Sequence, residues 1–333
     1  MFTLAHASDF HRGPVTWFGP RYWNVKRLLG LANWQLTRRQ VYKTAVLDAL
    51  MADLAAQAPD HVALTGDLVN LGLPQEHETA LRWLIRIGEP RDVTVVPGNH
   101  DIYTKLGRDE GAMRWAAYMR ATSAVETLAG DHAAVARAPD VPSRDAEDVR
   151  EDARRPGRFP FLKRVGGGKV ALIGVNSAVP TRPFYASGEV GDAQFEALEI
   201  DLAATKRAGL RRVVLIHHPP LPGQADARRG LRDSARMADV LRQHGADLVL
   251  HGHNHENMLS FLEPASGPPI PIVGAPCASM GERHKGKPLA RYNLYRFDAD
   301  VPGAPIEMIG RGLGDEGRDG GAIHELERRT LRS

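Results

Sequence analysis

The chain of 333 residues contains one cysteine, Cys277. That excludes an intrachain disulfide framework and any zinc cluster built on thiolates. A bound metal would therefore be held by nitrogen and oxygen donors. Such cysteine usage fits a reducing cytoplasm. Hydrophobic residues make up 43% of the chain, yet no stretch of about 20 residues is free of charge, so no membrane-crossing helix is expected. The opening MFTLAHASDFHR has no basic segment followed by an apolar core, and no secretory leader is expected from it. Internal repeats are absent. Net charge is also scarce: the formal value is +3, a weak argument for a nucleic-acid partner. Aromatic residues are few, 6%, and unevenly spread. From Arg12 to Leu47 there are three of the five tryptophans and seven Lys/Arg, with no Asp or Glu.

Hydrophobic periodicity gives the coarse architecture. Short apolar runs read as strands at 2–7, 61–65, 92–96, 170–176, 212–216 and 247–250. Helical spacing predicts helices over 36–57, 75–88, 109–121, 191–208 and 233–244. Beyond residue 257, short strands dominate: MLSFL, PIVG, ARYNLYRF and PIEMIG. The C-terminal GRGLGDEGRDGGAIHELERR reads as a glycine-rich loop followed by a polar helix. Alternating strands and helices followed by strands predict a layered α/β sandwich. All 333 residues are taken as one domain with two insertions. The first, at about 12–35, is a basic aromatic cap. The second, at about 137–158, is a solvated polar segment with six acidic residues, six basic residues and three prolines.

Ligand-type residues gather where the predicted strands end. LAHASDFH ends in Asp9 and His11, HVALTGD in Asp67, and VTVVPGNHD in Asn99, His100 and Asp101. RVVLIHHPP carries His217 and His218, and DLVLHGHNH carries His251, His253 and His255. Sites in open α/β sheets form beyond the carboxyl ends of strands, so five strand ends deliver these groups to one place. Glycines 66, 98 and 252 are expected to let the backbone turn there. Taken singly, an Asp after a strand is ordinarily a turn or cap residue, and a lone histidine is ordinarily a satisfied polar group. Five such coincidences favour a dinuclear metal site. Two cations about 3.5–4 Å apart need a carboxylate between them, and Asp67 is the natural bridge. Mixed imidazole, carboxylate and amide donors suit Mn, Fe, Zn or Co better than Mg or Ca.

The motifs DFH, GD, GNHD, HHP and GHNH, in this order over residues 9–255, resemble the calcineurin-like metallophosphoesterase superfamily. None departs from the family pattern at a ligand position. The resemblance implies a four-layer α/β/β/α sandwich with two mixed β-sheets and a dinuclear metal site at strand carboxyl ends. It implies one metal held by Asp9, His11, Asp67 and His255, and a second held by Asp67, Asn99, His217 and His253. His218 is the alternative to His217. It also implies that His100 faces the leaving-group oxygen, with Asp101 orienting its ring, while a metal-bridging hydroxide attacks in line. His251 is either a residue behind the ligands or a packed strand-end histidine. His6 is read as structural, beneath the site.

The implied activity is phosphoester hydrolysis with two divalent or trivalent ions, Mn, Fe or Zn. The motifs are closest to bacterial cyclic-nucleotide and glycerophosphodiester phosphodiesterases. The cap follows the first metal motif directly, which puts it at the rim of the site. Its composition admits two readings of equal weight: a cap packed on the sheet edge, or a peripheral membrane contact for an amphipathic phosphoester. The second implies a rival enzyme, a UDP-acylglucosamine-type lipid pyrophosphatase working at the inner face of the membrane. A nuclease ranks lower, because the rest of the chain is nearly charge-balanced. A non-catalytic metal-binding scaffold is the reading from another class. Oligomeric state is left open.

Overall fold

The run FTLAHA forms strand β1, Phe2–Ala7, and lies in the middle of a sheet because almost all of it is buried. The computed structural model describes residues 1–106, 111–121, 158–301, 303–314 and 322–332. In this first sheet β1 pairs in parallel with β2 (His61–Leu64), which pairs in parallel with β3 (Val93–Val95). On its other side, β1 pairs antiparallel with β10 (Arg291–Phe297), followed by β11 (Ile306–Leu313) and β12 (Ile323–Arg332). The second sheet runs β4 (Phe161–Val165), β5 (Val170–Gly174), β6 (Arg211–Leu215), β7 (Leu248–His251), β9 (Ile270–Gly274) and β8 (Met258–Leu262). Its four inner strands are parallel and its two edges antiparallel. Both sheets are therefore mixed.

The continuous apolar character of the inner strands follows from burial on both faces. Val213, Leu215, Leu248 and Leu250 face the first sheet and share one core with Leu4, Val62 and Leu294. Their neighbours Val214, Ile216 and Val249 face the opposite way. There they meet Phe195, Leu198 and Leu202 of α4 (Asp192–Arg207) and Met237, Val240 and Leu241 of α5 (Ser234–His244). The first sheet is covered by Leu47, Leu50 and Leu54 of α2 (Thr44–Ala56) and Trp83 and Leu84 of α3 (Pro74–Ile87). The layers are thus α/β/β/α, as the motifs imply.

Several elements differ from the sequence reading. The helix expected over 36–57 starts at Thr44. Before it come α1 (Val25–Asn33), a π-helical turn at Trp34–Arg38 and a single α turn at Arg39–Val41. Tyr42 and Lys43 are extended, because the backbone there bonds elsewhere: Lys43 N–H donates to Ser279 O at 2.8 Å and Val41 O accepts from Gly281 N at 2.9 Å. The expected polar C-terminal helix is strand β12. Its neighbour β11 offers a free edge, and pairing with that edge outweighs the helix propensity of HELERR. Strand β4 was not expected at all. The helix predicted over 109–121 is a short 3₁₀ segment, Ala112–Tyr118, with residues 107–110 outside the described ones. The polar insertion predicted at about 137–158 also lies outside the described residues, except Arg158.

Leu250 sits in central β7 with no exposed surface, one residue before the loop that carries His253 and His255. Leu250→Ala should lower the unfolding free energy by about 2–5 kcal/mol, by lost transfer and an unfilled cavity. Urea denaturation measures it, and a change below about 1 kcal/mol would place Leu250 outside the packed core.

Candidate metal centre

The loops after β1, β2, β3, β6 and β7 converge, and most of the converging side chains sit on left-handed backbone. Asp9 (φ 56°), His11 (40°), Asp67 (56°), His253 (72°) and His255 (56°) are five of the eight non-glycine residues with positive φ among the described residues. Such conformations are uncommon for side-chain-bearing residues and cluster at functional sites. Their concentration here means that the backbone is bent to aim these groups.

Their tips form two overlapping groups. In the first, His11 Nε2 and His255 Nε2 are 3.2 Å apart, and Asp9 Oδ1 is 3.2 Å from His255 Nε2. In the second, Asn99 Oδ1 is 3.1 Å from His217 Nε2 and 2.9 Å from His253 Nδ1, and those two nitrogens are 3.3 Å apart. Asp67 Oδ2 stands between the groups, 3.9 Å from His11 Nε2 and 3.4 Å from His217 Nε2. All seven residues expected as metal ligands are thus brought together.

The donor set fits a metal pair. Ligands at about 2.0–2.1 Å from one ion at tetrahedral or right angles lie roughly 3.0–3.4 Å from each other, the spacing seen within each group. His217 Nδ1 faces Thr65 O at 2.6 Å and His11 Nδ1 faces Val69 O at 3.4 Å. Protons on those nitrogens leave the Nε2 lone pairs aimed into the site. Burial holds His11 and His253 well below the usual histidine range, with help from neighbouring His100 and His218 respectively. Burial also works against charge on Asp67, but His217 and His100 outweigh it and keep the carboxyl well below its usual range. Neutral imidazoles and ionised carboxylates are the forms that bind metal. His217 is the exception: burial opposes its charge, and Asp67 overcomes that and raises it to about 9. Asp9 Oδ1 is buried without a hydrogen-bond partner among the described residues. Buried acceptor atoms facing one another are costly unless a cation lies between them.

The choice between His217 and His218 is visible in the geometry. His218 has Nδ1 2.8 Å from Ser177 Oγ and Nε2 3.0 Å from Ala186 O, so both its nitrogens are engaged away from the site. His6 is buried, with Nε2 2.8 Å from Thr65 Oγ1. His251 is also buried, its Nδ1 3.1 Å from Gly252 O. Neither reaches the two groups.

Two glycines work differently from the expectation. Gly66 does turn through positive φ, at 91°. Gly98 and Gly252 do not; they are needed for close approach. A Cβ on Gly252 would overlap Ser8 Oγ and Asp9 Oδ2, and one on Gly98 would overlap Asp67 Oδ1. Asp9 Oδ2 accepts from His253 N–H at 2.9 Å, which ties the β7 loop to β1.

Asp101 is a correction. It does not orient the His100 ring; His100 Nδ1 is hydrogen-bonded to Asn70 O. The Asp101 carboxylate accepts from the backbone N–H of Asp67 and Gly98, both at 2.8 Å, and of Val69 at 3.2 Å. It braces two ligand loops from beneath. Burial and the charge of Asp67 push its carboxyl up to about 7, against the N–H donors of Gly98 and Val69. His100 Nε2 lies 3.3 Å from Arg38 Nη1, and burial, with Arg38 nearby, lowers the ring to about 4.

The cap runs past the expected 12–35, since Tyr42 packs against the cluster of Val15, Phe18 and Trp34, and this added stretch supplies residues that the motif reading missed. Tyr42 stacks on His11, with ring centroids 4.8 Å apart, and its hydroxyl is 3.5 Å from His255 Nδ1. A cavity of about 240 Å³ opens over the ligands, lined also by Arg38, Tyr42, Arg229, His284 and Lys285. No short motif marks these residues; the basic, aromatic composition of 12–47 pointed to Arg38 and Tyr42, and nothing in the sequence pointed to Arg229, His284 or Lys285.

Residues 2–257 match the family model described as calcineurin-like phosphoesterase. Over 108 residues the chain is 32% identical to a probable cyclic nucleotide phosphodiesterase of Rhodococcus erythropolis. That match covers 32% of this chain and 33% of the relative, so the chain spans about a third of the curated relative's length. A dimetal phosphatase from Danio rerio is similar in structure, with a TM-score of 0.57 at 11% identity over 99% of this chain and 98% of that one. A purple acid phosphatase from yellow lupin (Lupinus luteus) seeds has a TM-score of 0.51 at 12% identity, covering 97% of this chain and 53% of its own. At these identities the likeness is one of fold.

Asp101→Ala would leave three buried backbone N–H groups without an acceptor. We expect a loss of roughly 3 kcal/mol or more of stability, at about 1–3 kcal/mol per unpaired donor. Urea unfolding of the metal-free protein checks this. A variant of full stability, impaired only in turnover, would instead return Asp101 to the ring-orienting role.

Proposed function

The chain belongs to the calcineurin-like phosphoesterase family, and from that premise we propose that it is a dinuclear metal-dependent phosphodiesterase. The observation that carries the reading is the pair of ligand groups sharing Asp67. Asp9, His11, Asp67 and His255 would hold one ion, and Asp67, Asn99, His217 and His253 would hold the other. Mn, Fe and Zn all suit these donors. When bound, such a pair supplies Lewis acidity toward phosphoryl oxygens and an activated water.

The chain's own residues do the rest. The Thr65 and Val69 carbonyls fix the tautomers of His217 and His11, which keeps their lone pairs on target. His100 faces the leaving-group oxygen. An anionic phosphoryl group beside its Nε2 favours the doubly protonated ring, the form that donates a hydrogen bond or proton. Tyr42 and the cap wall off one side of the site from water. The preference for diesters draws support from the short match to a probable cyclic nucleotide phosphodiesterase. We read the whole chain as one domain working in the cytoplasm.

The test is a hydrolysis panel on Mn-loaded protein. Bis-p-nitrophenyl phosphate should turn over faster than p-nitrophenyl phosphate, and a chelator should abolish both. Asp67→Ala should bind fewer than two metals per chain and lose activity. Full metal content in that variant, measured by elemental analysis, would sink the shared-ligand assignment. Two bound metals with no turnover of any ester would favour the scaffold reading.

A second reading, an amphipathic substrate met at a membrane surface, is favoured by the outer face of the cap. Trp17 (71% exposed), Trp23, Val25, Leu28, Leu29 and Leu36 (77% exposed) all face solvent within twenty residues. Four of the seven basic residues of 12–47 already have partners elsewhere in the chain. Arg12 meets Asp48, Lys43 meets Glu282, Lys26 donates to Tyr103 O and Thr181 Oγ1, and Arg27 donates to Leu71 O and Gly72 O. Membrane affinity would therefore come from apolar insertion more than from lipid charge. No helix among the described residues is long and apolar enough to cross a membrane. Trp17→Ala/Trp23→Ala/Leu36→Ser should reduce co-sedimentation with phosphatidylcholine–phosphatidylglycerol liposomes by several-fold. No wild-type binding, or no change in the triple variant, removes this reading.

A further inference from the structure

The cap follows the first ligand loop and returns to it at Tyr42, so its inner face is part of the site's wall. Trp34, Arg38 and Tyr42 are four residues apart and all turn inward. Trp34 is buried with Val15, Phe18, Leu71 and Leu73, and Arg38 and Tyr42 line the cavity over the ligands. Between them, Gln35, Leu36, Arg39 and Gln40 are exposed. Eight residues of regular α-helix would rotate Tyr42 roughly 80° away from Trp34. The π-helical turn at Trp34–Arg38 winds more slowly and takes up part of that drift. Wide turns of this kind recur at functional sites because they re-aim the side chains that follow.

What the turn aims is a guanidinium. Arg38 Nη1 lies 3.3 Å from His100 Nε2, with Asp67, Asn99, His253 and His255 around the same cavity. The cap's other inward cations are engaged with Asp48, Glu282 or backbone carbonyls, as described above. Arg38 has no ion pair among the described residues; its guanidinium lies 5.9 Å from the Tyr42 ring centre, and its one side-chain hydrogen bond there is to His100. Four of its five N–H donors therefore remain for a ligand. A planar guanidinium fork matches two oxygens of a phosphoryl group.

We propose that Arg38, presented by the π-helical turn, binds the non-bridging oxygens of the substrate's phosphoryl group on the side away from the metal ligands. The inference rests on the phosphoesterase reading and adds a substrate contact from the cap to it. The cap is then part of the binding site for the phosphate itself, whatever its outer face touches.

The test uses full-length, Mn-loaded wild type, Arg38→Ala and Arg38→Lys, with inorganic phosphate as the probe. Calorimetric titration with phosphate needs no turnover. Arg38→Ala should weaken phosphate binding roughly 10- to 100-fold, as for loss of a hydrogen bond to a charged group, with metal content unchanged. Arg38→Lys should recover part of it, as a point charge without the fork. The kcat/KM for bis-p-nitrophenyl phosphate should fall in the same order, and added guanidinium ion should raise the activity of Arg38→Ala alone. Phosphate affinity within twofold of wild type overturns the proposal. So does a loss of bound metal that accounts for the defect, because Arg38 would then be holding the fold. If the wild type binds phosphate but hydrolyses no ester, the phosphodiesterase reading fails while the titration still tests Arg38.

Discussion

Two buried carboxylates, Asp9 and Asp67, dominate this molecule. Both are removed from water, both are held ionised, and around them five imidazole and amide groups turn lone pairs toward the same small volume. Such an arrangement is unfavourable on its own and needs positive charge at its centre. The surrounding structure reads as a means of enforcing it. The five left-handed residues bend the loops inward, Asp101 ties three backbone N–H groups beneath them, and Gly98 and Gly252 let loops from different strands touch. The Asp9–His253 hydrogen bond joins the two sheets at the site. The stability of the fold is thereby coupled to metal binding, since ligand binding to the native state alone stabilises it.

The cap shows how an insertion is divided between two environments. Its inner face packs Trp34 and Phe18 against Leu71 and Leu73, and Arg27 donates to backbone carbonyls of the 71–72 loop. Its outer face leaves two tryptophans and several aliphatic residues in solvent. Tyr42 leaves the helix to stack on His11, which links the cap directly to a ligand.

How far the sequence could be read depends on the kind of interaction involved. The meeting of Asp9, His11, Asp67, Asn99, His217, His253 and His255 in one place was legible because side chains of metal-binding type stand directly after apolar strands. Their local motifs survive any change elsewhere. Asp101 was legible as a site residue but not in its role, since its partners are backbone N–H groups that carry no sequence signal. The same holds for the Asn70 carbonyl that receives the His100 ring. Strand β12 was misread because HELERR has no alternation to mark it, and only the free edge of β11 makes it a strand.

The amino-acid sequence by itself therefore determined a layered α/β class, the order of the strand-end loops and the presence there of residue types able to hold metal, while the two mixed sheets were implied only by the family resemblance of the motifs. Those properties follow from short-range patterns: apolar runs buried on both faces, and ligand side chains immediately after them. Only the tertiary structure decided which histidine of the 217–218 pair faces the site, what Asp101 holds, and where the cap sends Arg38. Each of these depends on atoms distant in the chain. His218 is turned away by Ser177 and Ala186, the ligand loops are braced across more than thirty residues, and Arg38 meets His100 because Trp34 is anchored in a pocket lined by Val15, Leu71 and Leu73. No pattern local to residues 34–38 specifies that meeting; it is set by the packing of the cap on the sheet.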